Sequence, residues 1–304
     1  FIYSQTISYF ITLLLCFLLV IRQTSSFKFQ WNRTFAFLIL KKSLPYALLI
    51  FLMTIYYRID SIMLERMIDD NARQAGIYAQ AYRFFEASNM FAYLFAALLL
   101  PIFSRLLKLK EPIYDLVNFS FKTIMAFALI LTIFSCFFSY EIIDFRYDNY
   151  ILESSNIFLV LMMCFICVSS TYIYGTLLTA NGNLFYLNIV AAIGVILNVV
   201  LNLILIPKYD AFGSAVASLI TQFLTGIVQI FLCIYIFKFN LSRTFLKLLF
   251  FIIGLVLFTY YIKGLEMYLY YKLIMYLIFS LIWVFIMQIV KISDFSMLIQ
   301  NRLK

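Results

Sequence analysis

Among its 304 residues the chain has no histidine. That absence removes the commonest general acid–base group and a frequent metal ligand. Charge is scarce too, at 12% of residues against ~25% in a soluble domain, whereas 65% are hydrophobic against ~45–50%. Mean hydropathy is +1.00. No connection is long enough to resemble a soluble domain, and no secretory signal peptide is visible. No patch interleaves basic and aromatic residues as a nucleic-acid surface does, so the net charge of +9 needs another explanation. No initiator methionine precedes Phe1, which already lies in apolar sequence. The expectation is the C-terminal part of a longer protein, or a truncated reading of its gene.

Cysteine is present but without a framework. Cys16, Cys136, Cys164, Cys167 and Cys233 all fall in apolar runs. Cys164 and Cys167 have CxxC spacing and share a helix face, yet no second pair and no histidine accompany them. They read as small buried hydrophobes, with no metal and no cofactor expected.

What the chain does have is repeated apolar runs of about 20 residues, the length that spans a bilayer as a helix. Nine spans are expected, at 2–21, 44–64, 76–105, 119–138, 157–178, 184–206, 212–237, 245–262 and 269–290. The fold class is all-α, a polytopic transmembrane helix bundle. Pro45 is expected to open the second span, where a missing N–H is harmless. Pro101 lies late in the third, and Pro207 ends the sixth.

Charge orients this array. Alternate connections carry Arg22, Lys28, Arg33, Lys41, Lys42, then Arg105, Lys108, Lys110, then Lys238, Arg243, Lys247, then Lys291, Arg302, Lys304. These 14 basic residues face only three acidic ones, Glu111, Asp115 and Asp294. The other set holds six basic and nine acidic residues, including Asp69, Asp70, Glu141, Asp144 and Asp148. Positive charge stays inside, so the first set and the C-terminus are placed in the cytoplasm. The first visible span then runs from outside to inside, and an odd number of spans is expected before it.

The second and third spans carry four ionisable residues at membrane depth: Arg58, Asp60, Arg83 and Glu86. A charge there costs at least ~2.5 kcal/mol, so such residues face a bundle interior or a watery cavity. The two spans form a hairpin turning near Asp70. Arg58 lies 12 residues before that point and Arg83 13 after it, which puts both at similar depth in the outer half of the membrane at ~1.5 Å per residue. Arg83 and Glu86 share a helix face; Arg58 and Asp60 point to nearly opposite sides. One reading is an anion site, with Arg58 and Arg83 holding a group such as phosphate and Asp60 or Glu86 tuning them or carrying a coupling proton. The other is a set of buried ion pairs that fixes helix register. Tyr56, Tyr57, Tyr78 and Tyr82 surround the charges, as cavity walls that stack on sugar rings or as interface aromatics. Lys122, early in the fourth span, snorkels to the inner interface.

Further along, Ala191, Gly194, Asn198 and Asn202 lie along one stripe of the sixth span. Gly213, Ala217, Ser214, Ser218, Gln222, Thr225 and Gln229 mark the seventh. Small residues permit close helix approach and polar ones bond across it. Packing is the first reading of both stripes, with Asn198, Asn202 and Gln222 also able to line a cavity. The last two spans carry almost no polar residues at depth.

Two stretches carry a family resemblance. One is Leu44-Pro45 through Tyr57-Arg58-Ile59-Asp60, then Gly76-Ile77-Tyr78-Ala79-Gln80-Ala81-Tyr82-Arg83 and Leu100-Pro101. The other is Leu178-Thr179-Ala180-Asn181-Gly182-Asn183, then Asn198 through Pro207, and Ala211-Phe212-Gly213-Ser214-Ala215-Val216-Ala217. Together they resemble the C-terminal part of polysaccharide-biosynthesis flippases of the O-antigen or repeat-unit type, in the superfamily (MOP) that also holds lipid II flippases and multidrug (MATE) exporters. The resemblance implies two six-helix lobes around a V-shaped cavity, with the spans here similar to the sixth through fourteenth helices. Residues 1–21 would be the last helix of the first lobe and 22–43 the cytoplasmic inter-lobe linker. Residues 44–238 would form the second lobe, and 239–304 two additional helices and a cytoplasmic tail.

What the resemblance implies in function is translocation of a lipid-diphosphate-linked oligosaccharide across the bacterial cytoplasmic membrane by alternating access, for surface polysaccharide synthesis. The protein would be a transporter and not an enzyme. The cavity would be lined by Arg58, Asp60, Arg83, Glu86, Tyr57 and Tyr82, and Arg83 sits where related flippases place cations for the diphosphate. The implied partners are the lipid-linked oligosaccharide, the bilayer, the N-terminal lobe absent from this chain and the polysaccharide polymerase machinery. Two alternatives remain. A MATE-like drug or cation exporter would need an anionic cavity, and a polymerase or ligase of lipid-linked glycans would need a large external catalytic loop. A scaffold for a synthesis complex is a third and blander reading.

Overall fold

A computed structural model describes residues 2–23, 32–68, 71–239 and 242–289. Asp69, Asp70, Lys28, Lys291, Asp294, Arg302 and Lys304, which entered the hairpin turn and the charge pattern above, lie outside them. Every element among the described residues is a helix: α1 (Ile2–Gln23), α2 (Arg33–Met67), α3 (Asn71–Leu109), α4 (Tyr114–Phe137), α5 (Ser139–Asp144), α6 (Ile151–Ala180), α7 (Leu184–Phe237), α8 (Ser242–Lys263) and α9 (Leu269–Ile286). Eight of them are long and apolar enough to cross a membrane.

The count of nine spans and the count of eight helices agree once α7 is inspected. Its 54 residues would extend ~81 Å if straight, more than twice the ~30 Å hydrocarbon core. It breaks at Asp210, whose φ of 49° and ψ of −135° are not helical, three residues after Pro207. The two arms then run back along each other. Asn198 Nδ2 of the first arm donates to Ser218 Oγ of the second at 3.4 Å, and a Cβ on Gly194 would come within 3.0 Å of Thr225 Cγ2. At the turn a Cβ on Gly213 would collide with the Leu205 carbonyl. Backbone cannot yield there as a side-chain tip can. Gly213→Ala is therefore expected to destabilise by ~1–3 kcal/mol, the usual cost of overpacking. Gly76→Ala, with nothing within 4 Å of its Cβ, is expected to be neutral. Thermal unfolding in detergent checks the pair, and equal midpoints would show that the arms do not close against each other.

The helices alternate in direction. Arg73 meets Glu153, Gln80 meets Ser154 and Tyr93 meets Tyr172, a near-constant offset that makes α3 and α6 parallel. Thr132 meets Met162, Cys136 meets Leu159 and Phe121 meets Tyr174, a near-constant sum that makes α4 and α6 antiparallel. α6 is the axis of the bundle, packed against α3, α4, α5 and α7, while α8 and α9 attach to α4. Between transmembrane helices the drive comes from close packing and hydrogen bonds, since lipid tails are as apolar as leucine. Tyr276 Oη accordingly donates to the Ile130 carbonyl at 2.8 Å, and Trp283 lies against Gly254 while its Nε1 donates to the Phe251 carbonyl. α6 and α7 are joined by Asn181-Gly182-Asn183. Gly182 takes a φ of +79° and the Asn183 N–H bonds back to the Leu178 carbonyl, closing the helix end.

The chain divides into two compact units, Phe1–Leu44 and a second beginning at Pro45. α2 starts at Arg33, inside the stretch expected to be a linker, because Asn32 Oδ1 accepts the Phe35 N–H at 3.1 Å and caps it. Pro45 consequently sits inside a helix and does not open one. The short α5 was also not anticipated. It lies in the 139–156 connection and is anchored by the fully buried Ile143.

Candidate functional site

Two hydrogen bonds set the register of α2 against α3. Tyr78 Oη donates to Asp60 Oδ2 at 3.0 Å, and Tyr82 Oη to the Tyr57 carbonyl at 3.4 Å. Tyr82 lies opposite Tyr57, so Arg58 and Arg83 differ in depth by about two residues, or ~3 Å.

The four ionisable residues nonetheless fall into two groups. Arg58 on α2 and Arg83 and Glu86 on α3 are exposed. The α3 face is continuous through Gly76, Ala79, Arg83, Glu86 and Met90, all exposed and spaced three or four apart. Tyr82 lies between the two helices, within electrostatic reach of both Arg58 and Glu86. Among the described residues no ion pair involves Arg58, Arg83 or Glu86, so the alternative of mutual ion pairs has no counterpart there.

Asp60 is different, as its spacing from Arg58 implies. It does not share the arginines' face: it is 5% exposed and turned into the bundle, because two residues along a helix is a rotation of roughly 200°. Its carboxylate accepts from Tyr78 Oη, from Asn202 Nδ2 at 2.7 Å and from Ser218 Oγ. Asn202 Nδ2 also reaches Asn198 Oδ1 at 3.0 Å, and Tyr56 Oη donates to the Ser218 carbonyl at 3.3 Å. Asn198 and Asn202, offered above as packing or cavity residues, are fully buried members of this centre. Asn202 Oδ1 and Ser214 Oγ are buried without a hydrogen-bond partner.

Chemically the centre is a carboxylate ringed by neutral oxygens and donors, with no arginine or lysine in the ring. The Asp60 carboxylate, the Asn198 and Asn202 carbonyl oxygens and the Ser218 hydroxyl are the hard ligands that suit a small cation or a proton. Among the described residues no three His, Cys, Asp or Glu side chains converge. Cys164 and Cys167 are free thiols, and Cys164 Sγ points at the Ser218 carbonyl at 3.9 Å. A cavity of ≈ 10 Å³ adjoins Asp60, walled by Tyr56, Tyr57, Tyr82, Ser218 and Gln222 among others. The parts that residue order did not assign to a site are Ser218 and the Tyr78 hydroxyl. The available signal was the Asn198/Asn202 pair, four apart on an apolar helix facing a polar stripe.

These features define an all-helical, multi-span membrane fold with a buried acidic centre and an exposed basic face. A solved structure shares that fold: the lipid II flippase MurJ in its inward closed conformation, with a TM-score of 0.65 at 18% identity. The match covers 95% of this chain and 60% of that chain, so this chain spans about three fifths of the MurJ length. No protein-family profile matches the sequence, and no curated protein does.

Proposed function

We propose that the protein is a flippase for a lipid-diphosphate-linked oligosaccharide, carrying it from the cytoplasmic to the outer leaflet of a bacterial cytoplasmic membrane by alternating access. The observation that carries the reading is the placement of Arg58 and Arg83 at one depth on an exposed face of two membrane helices. Charges at that depth are not stable against lipid, so they belong to a polar cavity or to a facing lobe. A guanidinium presents a planar fork of donors matched to phosphate oxygens. Two of them can bridge a diphosphate while the lipid tail stays in the bilayer. The face carries two arginines against one glutamate, a sign that suits an anionic headgroup and disfavours a cationic drug.

The MurJ structure supports a lipid-linked precursor as the class of cargo, and the stretches named above support an oligosaccharide unit within it. No bond is made or broken, so the protein acts as a transporter. Asp60 serves as the coupling group: its occupancy by one positive charge shifts the balance of two conformations, and only a difference in affinity between them does so.

Deleting the gene in its native cell and measuring lipid-linked glycans by mass spectrometry tests this. A complete repeat unit should accumulate in the inner leaflet. Complete units reaching the outer leaflet unpolymerised would transfer the role to a polymerase or ligase, and an unchanged profile would overturn the proposal.

A further inference from the structure

The second arm of α7 carries polar residues along one face for almost its whole length: Ser214, Ser218, Gln222, Thr225 and Gln229. Measured from the turn at Asp210 at ~1.5 Å per residue, they lie about 6, 12, 18, 22 and 28 Å deep. The stripe therefore crosses nearly all of the ~30 Å apolar core. It faces into the bundle: Ser214, Ser218, Gln222 and Gln229 are all buried, Gln229 to 2% exposure.

Polar residues between membrane helices ordinarily act as glue, and glue is hydrogen-bonded. This stripe is only partly so. Ser218 bonds Asp60, and Thr225 Oγ1 bonds back to the Thr221 carbonyl. Gln229 Oε1 and Ser214 Oγ have no partner. Orphaned buried oxygens call for water or an ion.

Space for one is present. A second cavity of ≈ 20 Å³ is lined by Tyr57, Thr171, Gly194, Gln222, Thr225 and Gln229, among others. It shares Tyr56, Tyr57 and Gln222 with the ≈ 10 Å³ cavity against Asp60. Each is of the size that holds about one water, and each has several polar walls. Gly194 contributes by having no side chain, since even its Cβ would crowd Thr225. Toward the start of α7's first arm, Asn188 Oδ1 is also buried and unpaired while its Nδ2 bonds the Pro45 carbonyl.

We propose that this seam is a hydrated passage by which a proton or a small monovalent cation reaches Asp60 from the cytoplasmic side, inside the lobe. The passage runs past Gln229, Thr225 and Gln222, with Tyr56 and Tyr57 as the last wall before the carboxylate. It is separate from the exposed face of Arg58 and Arg83, because those side chains leave α2 and α3 on the opposite side from Asp60. Cation and lipid headgroup then occupy different routes and meet only through α2. The role of Asp60 rests on the flippase reading; the wetness of the seam does not.

Cysteine accessibility tests it in the full-length protein with all five native cysteines changed to alanine. Thr225→Cys and Thr171→Cys are near-isosteric probes on two different helices, and Leu224→Cys, 43% exposed, is the lipid-facing control. Each is treated with the small cationic reagent 2-aminoethyl methanethiosulfonate in inside-out and right-side-out vesicles. The two threonine positions should react at least ~10-fold faster than the control from the cytoplasmic side. Adding Gln229→Leu, which keeps the volume and removes the polarity, should slow Thr225→Cys by a similar factor. Raising sodium at fixed pH and lowering pH at fixed sodium, with uptake followed in each arm, tells the metal cation from the proton.

A seam that reacts no faster than the control, or is indifferent to Gln229→Leu, overturns the passage even if lipid flipping is established. A reactive seam in a cell whose lipid-linked glycans are unaffected by the gene would instead overturn the flippase reading and leave the passage standing.

Discussion

The double substitution Arg58→Ala/Arg83→Ala should abolish translocation while leaving the protein folded and inserted. Both side chains are exposed and neither joins an ion pair among the described residues. Their loss therefore breaks no ion pair among the described residues, and exposed substitutions of that kind usually shift stability by less than ~0.5 kcal/mol. A charged hydrogen bond to phosphate is worth ~1.5–3 kcal/mol, which is ~10- to 150-fold in affinity. Arg83→Ala alone should lower the translocation rate within that range. The two losses need not add, because both arginines address one headgroup. Arg83→Lys should restore part of the rate, since it keeps the charge and gives up the bidentate fork. The measurement is the rate at which lipid-linked oligosaccharide reaches the outer leaflet of vesicles, alongside the amount of protein inserted. Normal translocation by the double variant would remove the anion site, whatever else the protein does.

How far this arrangement could be read from residue order depends on which physical signal each part carries. Hydropathy located all nine spans, including both arms of α7, because a ~20-residue apolar run is required wherever a helix crosses lipid. It could not show the arms joined across Asp210, since the break is a single backbone angle. The start of α2 at Arg33 depended on one cap, Asn32, in a stretch whose basic residues suggested a loop. α5 is six residues, shorter than any periodicity can reveal. The depth match of Arg58 and Arg83 followed from counting out from a turn, and the tyrosine bonds of α3 to α2 give the same register.

The split of the four charges was half legible. Spacing placed Arg58 and Asp60 on opposite sides of one helix. Which side faced the bundle depended on Asn202 and Ser218, some 142 and 158 residues further on. No local pattern brings those side chains to Asp60; only the approach of both arms of α7 to α2 does. For the same reason Asn198 and Asn202 read as helix glue when seen alone.

The second large effect is expected at Asp60, and it separates structure from coupling by comparing two replacements. Asp60→Leu leaves Tyr78 Oη, Asn202 Nδ2 and Ser218 Oγ buried without their common acceptor. Each orphaned donor costs ~1–3 kcal/mol, so the loss should be about 3 kcal/mol or more and visible as a lowered unfolding midpoint in detergent. Asp60→Asn has nearly the same shape. Its Oδ1 still accepts from Asn202, and its NH₂ faces Tyr78 Oη and Ser218 Oγ, two hydroxyls that can each turn from donor to acceptor by rotating. That variant should keep a midpoint within a few degrees of the parent. It cannot, however, carry the negative charge that draws a cation inward. Translocation in Asp60→Asn vesicles should therefore lose its response to an imposed proton or sodium gradient while headgroup binding, governed by Arg58 and Arg83 on the other face, persists. If Asp60→Asn responds to the gradient as the parent does, the carboxylate is a structural acceptor alone, because the amide keeps the shape and lacks the charge.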